Sequence, residues 1–104
     1  MDDAKQEPAK VIIKFFASFR KLAGVKEVEK EIDPDTTVLS LLQALCQTYP
    51  KISNEVFQDK EHENLQDSIV ILLNGRNIKF IKGTESKLAD KDILAIFPPA
   101  AGGK

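Results

Sequence analysis

The sequence has few of the side chains from which metal centres, disulfides and nucleophilic active sites are built. Its 104 residues contain one cysteine, one histidine and no tryptophan. One cysteine cannot form an internal disulfide, and one cysteine with one histidine cannot supply a metal cluster of Cys and His ligands. No early apolar stretch has the pattern of a signal peptide or a membrane span. These features predict a cytoplasmic protein that binds no metal.

An excess of charge of one sign is also lacking. The formal net charge is -1, from 15 basic and 16 acidic side chains, and the lysines are scattered along the chain. We therefore expect neither nucleic acid nor a membrane as a partner. The length fits one domain with a modest core, and a hydrophobic content of 42% is ordinary for a globular protein.

Two groups of residues suggest catalysis or metal binding, but neither has the required pattern. A Cys-His nucleophile would need Cys46 to meet His62, yet Cys46 belongs to the apolar stripe of a predicted helix, where a buried structural role is usual. The acidic residues between Asp59 and Asp67 lack the glycine and the spacing of a calcium-binding loop. We therefore expect that the chain is not an enzyme by itself.

The N-terminal quarter predicts a leader followed by a central strand. Residues 1–10 are polar, include a proline and show no period, which predicts a disordered leader. Residues 11–19 are rich in alternating β-branched and aromatic side chains, which predicts a central strand. Its second face carries Ile12 and Phe16, which we expect to be only partly covered. Residues 20–24 end in glycine and predict a short helical turn.

An edge strand and the main helix are predicted next. Residues 25–32 alternate apolar and charged side chains, as in a half-exposed edge strand. Residues 33–37 supply a turn and an N-cap, and Pro50 ends the helix that follows. Residues 51–68 have weak periodicity and predict a loop with one irregular helical turn. The apolar stripe of the helix consists of Val38, Leu41, Leu42, Leu45, Cys46 and Tyr49.

The C-terminal half predicts a hairpin and a last strand. Asn74-Gly75 is a strong signal for a type I′ turn between strands over residues 69–73 and 76–81. A polar connection follows, with Leu88 as its anchor in the core. Residues 93–97 are apolar at nearly every position, as in a strand covered on both faces, which favours a place beside the first strand. The element order predicts an α+β fold with one helix across a mixed sheet.

The last residues form a thin tail. Pro98 and Pro99 hold the chain extended, and Ala100 to Gly103 carry at most a methyl group, so the tail could reach roughly 20 Å at about 3.3 Å per residue. A glycine carboxylate without a neighbouring Cβ is open to attack at its carbonyl. A frayed end is the simpler interpretation of such a tail.

Three segments of the chain resemble the ubiquitin-like sulfur carriers, and most of all the small subunit of molybdopterin synthase. They are residues 15–24 (FFASFRKLAG), Leu73-Asn74-Gly75, and residues 94–103 (LAIFPPAAGG). The stretch from Tyr49 to Gly75 also resembles archaeal small protein modifiers. Both groups have the β-grasp (ubiquitin-like) fold, which implies a mixed sheet of about five strands covered by one main helix. The implied domain is residues 11–97, and the implied extended tail is residues 98–104.

The resemblance implies a carrier without a bound cofactor. An adenylating enzyme of the ubiquitin-activating type would use ATP to activate Gly103, and sulfur would then convert it to a thiocarboxylate. The large subunit of molybdopterin synthase would receive the tail, and the sulfur would enter molybdopterin. The alternatives are a modifier joined through Gly103 to lysines of target proteins, or a carrier for tRNA thiolation, although the segment Phe97-Pro98-Pro99 favours the molybdopterin branch.

The resemblance also assigns roles to individual residues. Gly103 carries the acyl group or thiocarboxylate, and Gly102 gives access to it. Phe97 would anchor the arm at the partner's entrance, or would equally serve as a core residue. The implied partner-binding residues are Phe97, Pro98, Pro99, Ala100, Ala101 and Gly102.

The chain departs from the family pattern at two positions. Lys104 follows the glycine pair, so we predict that the working form ends at Gly103. Lys91 stands where the family commonly has glycine. If that position requires positive φ, lysine costs on the order of 1 kcal/mol.

Overall fold

The computed structural model describes residues 8–99, which form a five-stranded sheet and one long helix. The strands are β1 (Ala9–Phe15), β2 (Glu27–Ile32), β3 (Val70–Leu73), β4 (Arg76–Asn77) and β5 (Ile93–Phe97). The helices are α1 (Ser18–Ala23), α2 (Val38–Thr48) and α3 (Ser53–Val56). Turns of 3-10 helix lie at Pro50–Ile52, Ile78–Phe80 and Gly83–Glu85. None of the helices within residues 8–99 is long and apolar enough to cross a membrane.

The strand order is β2-β1-β5-β3-β4. β5 runs parallel to β1, with Ile13 opposite Leu94, and antiparallel to β3, with Ile71 opposite Ile96. β2 pairs only with β1 and lies at an edge of the sheet, as its charged pattern predicts. The prediction that the last strand lies beside the first is confirmed, and the chain leaves β5 from the middle of the sheet.

Helix α2 covers one face of this sheet. The side chain of Thr37 accepts a hydrogen bond from the Ser40 N–H, and the Ser40 hydroxyl accepts one from the Thr37 N–H, so the helix begins with a capping box. All predicted stripe residues are buried except Tyr49, which is half-buried and packs edge-to-face on Phe15. The core consists mainly of this stripe and the sheet residues Val11, Ile13, Phe15, Ile71, Leu94 and Ile96.

The first strand differs from its prediction at both ends. β1 begins at Ala9, so the last two residues of the predicted leader belong to the strand, and residues 1–7 lie outside the described part. It ends at Phe15 instead of residue 19, because Ala17 has φ 54° and ψ -131° and turns the chain into α1. Phe19 is fully buried, but it reaches the core from helix α1. An apolar residue in phase with a strand pattern can therefore belong to a helix.

The hairpin is as predicted at its turn but shorter beyond it. Asn74 and Gly75 have φ of 53° and 85°, the two positive values that a type I′ turn requires. The returning strand was predicted over residues 76–81, but β4 ends at Asn77. The chain then coils into a 3-10 turn, which buries Ile78, and the Asn77 side chain accepts a hydrogen bond from the Lys79 N–H.

The burial of β5 corrects another prediction. Leu94 and Ile96 are fully buried against the core, whereas Ile93 is 36% exposed on the opposite face. The central position of the strand was predicted correctly, but cover on both faces was wrong. An apolar side chain on the outer face of a central strand does not require a second layer.

The long connections are pinned to the core as expected. Residues 51–68 contain a 3-10 turn and α3 in place of one irregular turn, and Ile52, Val56 and Phe57 are buried. Leu88 anchors the connection before β5 and is also buried.

Candidate functional site at the end of the central strand

The sheet fixes the point at which the tail begins. Phe97, the last residue of β5, lies opposite Val70 of β3. On the other side, the Phe16 N–H donates a hydrogen bond to the Ile96 carbonyl over 3.2 Å. Pro98 has no N–H with which to extend this ladder, so pairing with β1 stops where the tail starts.

Phe97 lies on the outer face of the sheet. Its ring stacks on the ring of Phe16, with centroids 4.3 Å apart and planes 10° from parallel. Phe97, Pro98 and Pro99 are all half-buried. Phe97 is thus packed against this domain and still partly accessible, and its predicted role at a partner's entrance stays a prediction.

Arg20 of α1 contacts Phe16, one ring of this aromatic pair. Its guanidinium carbon lies 5.2 Å from the centroid of the Phe16 ring, and its Nε donates a hydrogen bond of 2.9 Å to the Phe15 carbonyl. Sequence reasoning placed Arg20 only in a short helical turn and missed this contact. The sole signal in the sequence was that Phe16, four residues earlier, was expected to be partly exposed.

An open groove of about 700 Å³ runs beside Pro98 and Pro99. Its other walls include Ser18 of α1, Glu55 of α3 and Gln66. The Gln66 side-chain amide donates to the backbone carbonyls of Asn54 and Phe57 and ties these walls together. Sequence reasoning did not connect this loop with the tail, because its residues are distant from it in the chain.

The remaining predicted site residues lie outside the described part. Ala100, Ala101, Gly102, Gly103 and Lys104 follow the last described residue. Their predicted roles as arm, access point and acyl carrier therefore stay predictions.

Cys46 and His62 have separate, structural surroundings. Burial raises the pKa of the Cys46 thiol, and a hydrogen bond with the Ser53 side chain opposes this effect. The His62 ring stacks on Phe57 with centroids 4.8 Å apart. A neutral buried thiol is a poor nucleophile, so this geometry fits the structural role expected of Cys46.

The acidic loop is held together by its own hydrogen bonds. The Asp59 carboxylate accepts the Asn64 N–H over 3.0 Å and the Glu63 N–H over 3.2 Å. The bond from Asn64 is the main reason that the pKa of Asp59 is lowered. Within residues 8–99, no three His, Cys, Asp or Glu side chains are grouped so as to hold a metal ion.

Lys91 has the positive φ that the family pattern suggested. Its φ is 73°, and its N–H donates a hydrogen bond of 2.7 Å to the Lys10 carbonyl. The turn before β5 is therefore tied to the first residues of β1, and lysine takes a conformation that favours glycine.

Comparisons with known proteins agree with this architecture. The model of the ThiS family matches residues 13–103. Small archaeal modifier protein 3 of Haloferax volcanii is 33% identical over 91 residues, which cover 88% of this chain and 96% of that protein. A protein of Archaeoglobus fulgidus assigned as a sulfur carrier is 32% identical over 82 residues, or 78% of this chain and 91% of that protein.

Solved structures with similar folds include both a small archaeal modifier protein and a protein assigned as a molybdopterin converting factor subunit. Small archaeal modifier protein 1 of Methanosarcina acetivorans superposes with a TM-score of 0.79 at 35% identity, covering 94% of this chain and 100% of that chain. A Pyrococcus furiosus protein assigned as molybdopterin converting factor subunit 1 gives a TM-score of 0.70 at 33% identity, covering 88% and 99%.

A third similar structure is one chain of the BexX/CysO complex of Amycolatopsis orientalis, with a TM-score of 0.72 and 29% identity over 89% of this chain and 99% of that chain. A relative of this chain thus assembles with another protein. From the matched family model and these relatives, with the β-grasp sheet and helix described above, we conclude that the chain belongs to the ThiS family of ubiquitin-like sulfur carriers and modifiers.

Proposed function

We propose that this chain is the sulfur-carrying small subunit of molybdopterin synthase. An adenylating enzyme joins the Gly103 carboxylate to the AMP portion of ATP and releases pyrophosphate. Hydrosulfide then attacks the acyl carbon, displaces AMP and loses its proton, which leaves a thiocarboxylate with sulfur in place of one oxygen. The large synthase subunit takes this sulfur for molybdopterin.

The observation behind this proposal is the departure of the tail from a central strand. β5 is paired on both sides, so Phe97 is held while Pro98 and Pro99 begin an extended segment. From Ala100 to Gly103 no side chain is larger than a methyl group, which suits entry into a narrow channel of a partner. The likeness to the assigned converting factor subunit and sulfur carrier supports sulfur transfer.

Conjugation to proteins is the second candidate, favoured by the likeness to the Haloferax modifier protein. The activated acyl carbon of Gly103 would be the same, but a lysine amine would displace AMP and form an isopeptide bond. Both functions require that Lys104 be removed, because it moves the carboxylate about 3.5 Å and adds a long cation to the tail.

Intact-mass spectrometry of a chain that ends at Gly103, produced together with its adenylating enzyme, tests sulfur carriage. We expect a chain that ends at Gly103 and has one oxygen replaced by sulfur. A matched chain without Gly102 and Gly103 should gain no sulfur. A chain ending at Gly103 that remains unchanged beside the active enzyme, ATP and sulfide would contradict the proposal.

Tryptic peptides distinguish the second function. Trypsin cuts after Lys91, so conjugation would leave residues 92–103 on each target lysine. This remnant on cellular proteins would support modification. Its absence from cells that contain the thiocarboxylate form would leave sulfur carriage as the function.

A further inference from the structure

Three side chains from separate segments meet where the tail begins. We call Arg20, Phe16 and Phe97 the tail-base cluster. Phe16 and Phe97 stack at 4.3 Å, and the Arg20 guanidinium lies 5.2 Å from the Phe16 ring centroid. Phe97 is the residue directly before Pro98, so the cluster lies at the point from which the tail departs.

Arg20 is fixed by a second contact. Its Nε donates to the carbonyl of Phe15, the last residue of β1, over 2.9 Å. The guanidinium therefore joins the backbone at the end of β1 to the ring that supports Phe97. One planar group makes both contacts at once, whereas a lysine ammonium is a single point charge that could reach the Phe15 carbonyl or the Phe16 ring but not both.

The two prolines keep the chain that follows Phe97 in the direction set by Phe97. Each proline fixes its own φ near -65°, so the direction set at Phe97 is kept through Pro98 and Pro99. A tail that already points in its bound direction loses less conformational entropy when a partner takes it up.

We propose that Arg20 is a positioning residue for the tail, acting on Phe97 through Phe16. The inference rests on the proposed function in one respect, that residues beyond Pro99 enter a partner. The proposal gives Arg20 no part in the reaction at Gly103. It fixes the base from which the tail extends.

The test uses the full chain with Arg20→Lys, and Lys21→Ala on the same helix as the matched control. NMR is the first measurement, since it needs no enzyme. Arg20→Lys should shift the ring resonances of Phe16 and Phe97 and lower the order parameter of the Phe97 amide, whereas Lys21→Ala should change neither. Unchanged Phe97 signals in Arg20→Lys would overturn the inference.

Adenylation by the activating enzyme is the second measurement, made on chains that end at Gly103. Arg20→Lys should raise KM for the chain about fivefold with kcat unchanged, the size expected for the loss of one exposed cation-π contact. The same substitution made together with Phe97→Leu should add no further increase, because the path through Phe97 is already broken. If the fold-increases in KM from the two substitutions multiply, Arg20 acts independently of Phe97 by contacting the enzyme directly, and the inference is overturned.

Failure of the proposed function gives a different result. If the wild-type chain that ends at Gly103 is not adenylated by an active enzyme, the proposed function is refuted. The NMR comparison of Arg20→Lys with Lys21→Ala then decides by itself whether Arg20 positions Phe97.

Discussion

Phe15 and Phe16 are neighbours in the chain, but their side chains lie on opposite faces of the sheet. Phe15 is fully buried beneath α2 and packs on Tyr49. Phe16 is half-buried and packs on Phe97 at the base of the tail. β5 repeats the contrast, with Ile96 fully buried and Phe97 half-buried.

The contrast teaches that stability and the proposed carrier role use different faces of the same strands. Full burial of a large apolar side chain contributes about 1.5 to 3 kcal/mol before entropy is subtracted, so the α2 face supplies most of the folding free energy. Residues of the outer face contribute less and remain accessible to another molecule. Substitutions on the outer face should therefore alter function without unfolding the domain.

The largest expected effect tests this contrast directly. Phe15→Ala should lower the free energy of unfolding by about 3 to 5 kcal/mol, because it leaves a cavity under α2. Phe16→Ala should lower it by only about 1 kcal/mol, since it removes a partly exposed aromatic contact. Urea unfolding followed by circular dichroism measures both values. Equal losses would show that the two faces do not differ in this way.

Thiol reactivity sharpens the comparison on the helix side. Burial raises the pKa of Cys46, so its contribution to stability is complete below the unfolded value, near 9.0, and is lost as the pH rises through the folded value. At about pH 8, iodoacetamide should alkylate the native protein more than about tenfold more slowly than the unfolded protein. A Cys46→Ala, Thr48→Cys variant, whose thiol replaces an exposed side chain, should show no such protection. Rapid alkylation of native Cys46 would mean that packing of α2 on the core does not protect this thiol from the reagent.

A substitution in the exposed turn before β5 should raise the free energy of unfolding, by less than Phe15→Ala lowers it. Lys91→Gly should raise the free energy of unfolding by about 1 kcal/mol, because φ at this position is 73° and glycine adopts it without strain. Ala89→Gly in the same connection should lower it by about 0.5 to 1 kcal/mol, since Ala89 is not among the positive-φ residues. Thermal and urea unfolding measure both. A loss of stability in Lys91→Gly would show that the lysine conformation carries no strain.

The smallest change in stability is expected for a substitution at Asp59 in the exposed acidic loop. Hydrogen bonds, chiefly from the Asn64 N–H, lower the pKa of Asp59 below its ordinary value of 3.8. Its contribution to stability is therefore present above that value and lost as the pH falls through the lower, folded one. The stability difference between wild type and Asp59→Asn should accordingly shrink on acidification, as measured by urea unfolding across this pH range. A difference that stays constant as the pH falls would show that these hydrogen bonds do not favour the ionised carboxylate.

Local signals predicted much of the fold. The spacing of Leu41, Leu42 and Leu45 predicted both α2 and its buried face, and Asn74-Gly75 predicted the turn with two positive φ values. These predictions succeeded because a helical stripe and a type I′ turn depend on residues close together in the chain. The predicted end of β1 was wrong. Phe19 continues the alternation of the strand, but it belongs to α1 and is buried from that helix.

The sequence by itself determined the composition of the tail, the stripe of α2 and the central place of β5. The tertiary structure alone decided what holds the base of the tail. Phe16 and Phe97 are 81 positions apart in the sequence numbering (97 minus 16), and they stack because the parallel register of β1 and β5 brings Phe15 opposite Ile96. Arg20 reaches the Phe16 ring because Ala17 turns the chain back over the end of β1. No local pattern encodes such a meeting, since it depends on strand pairing across the whole chain.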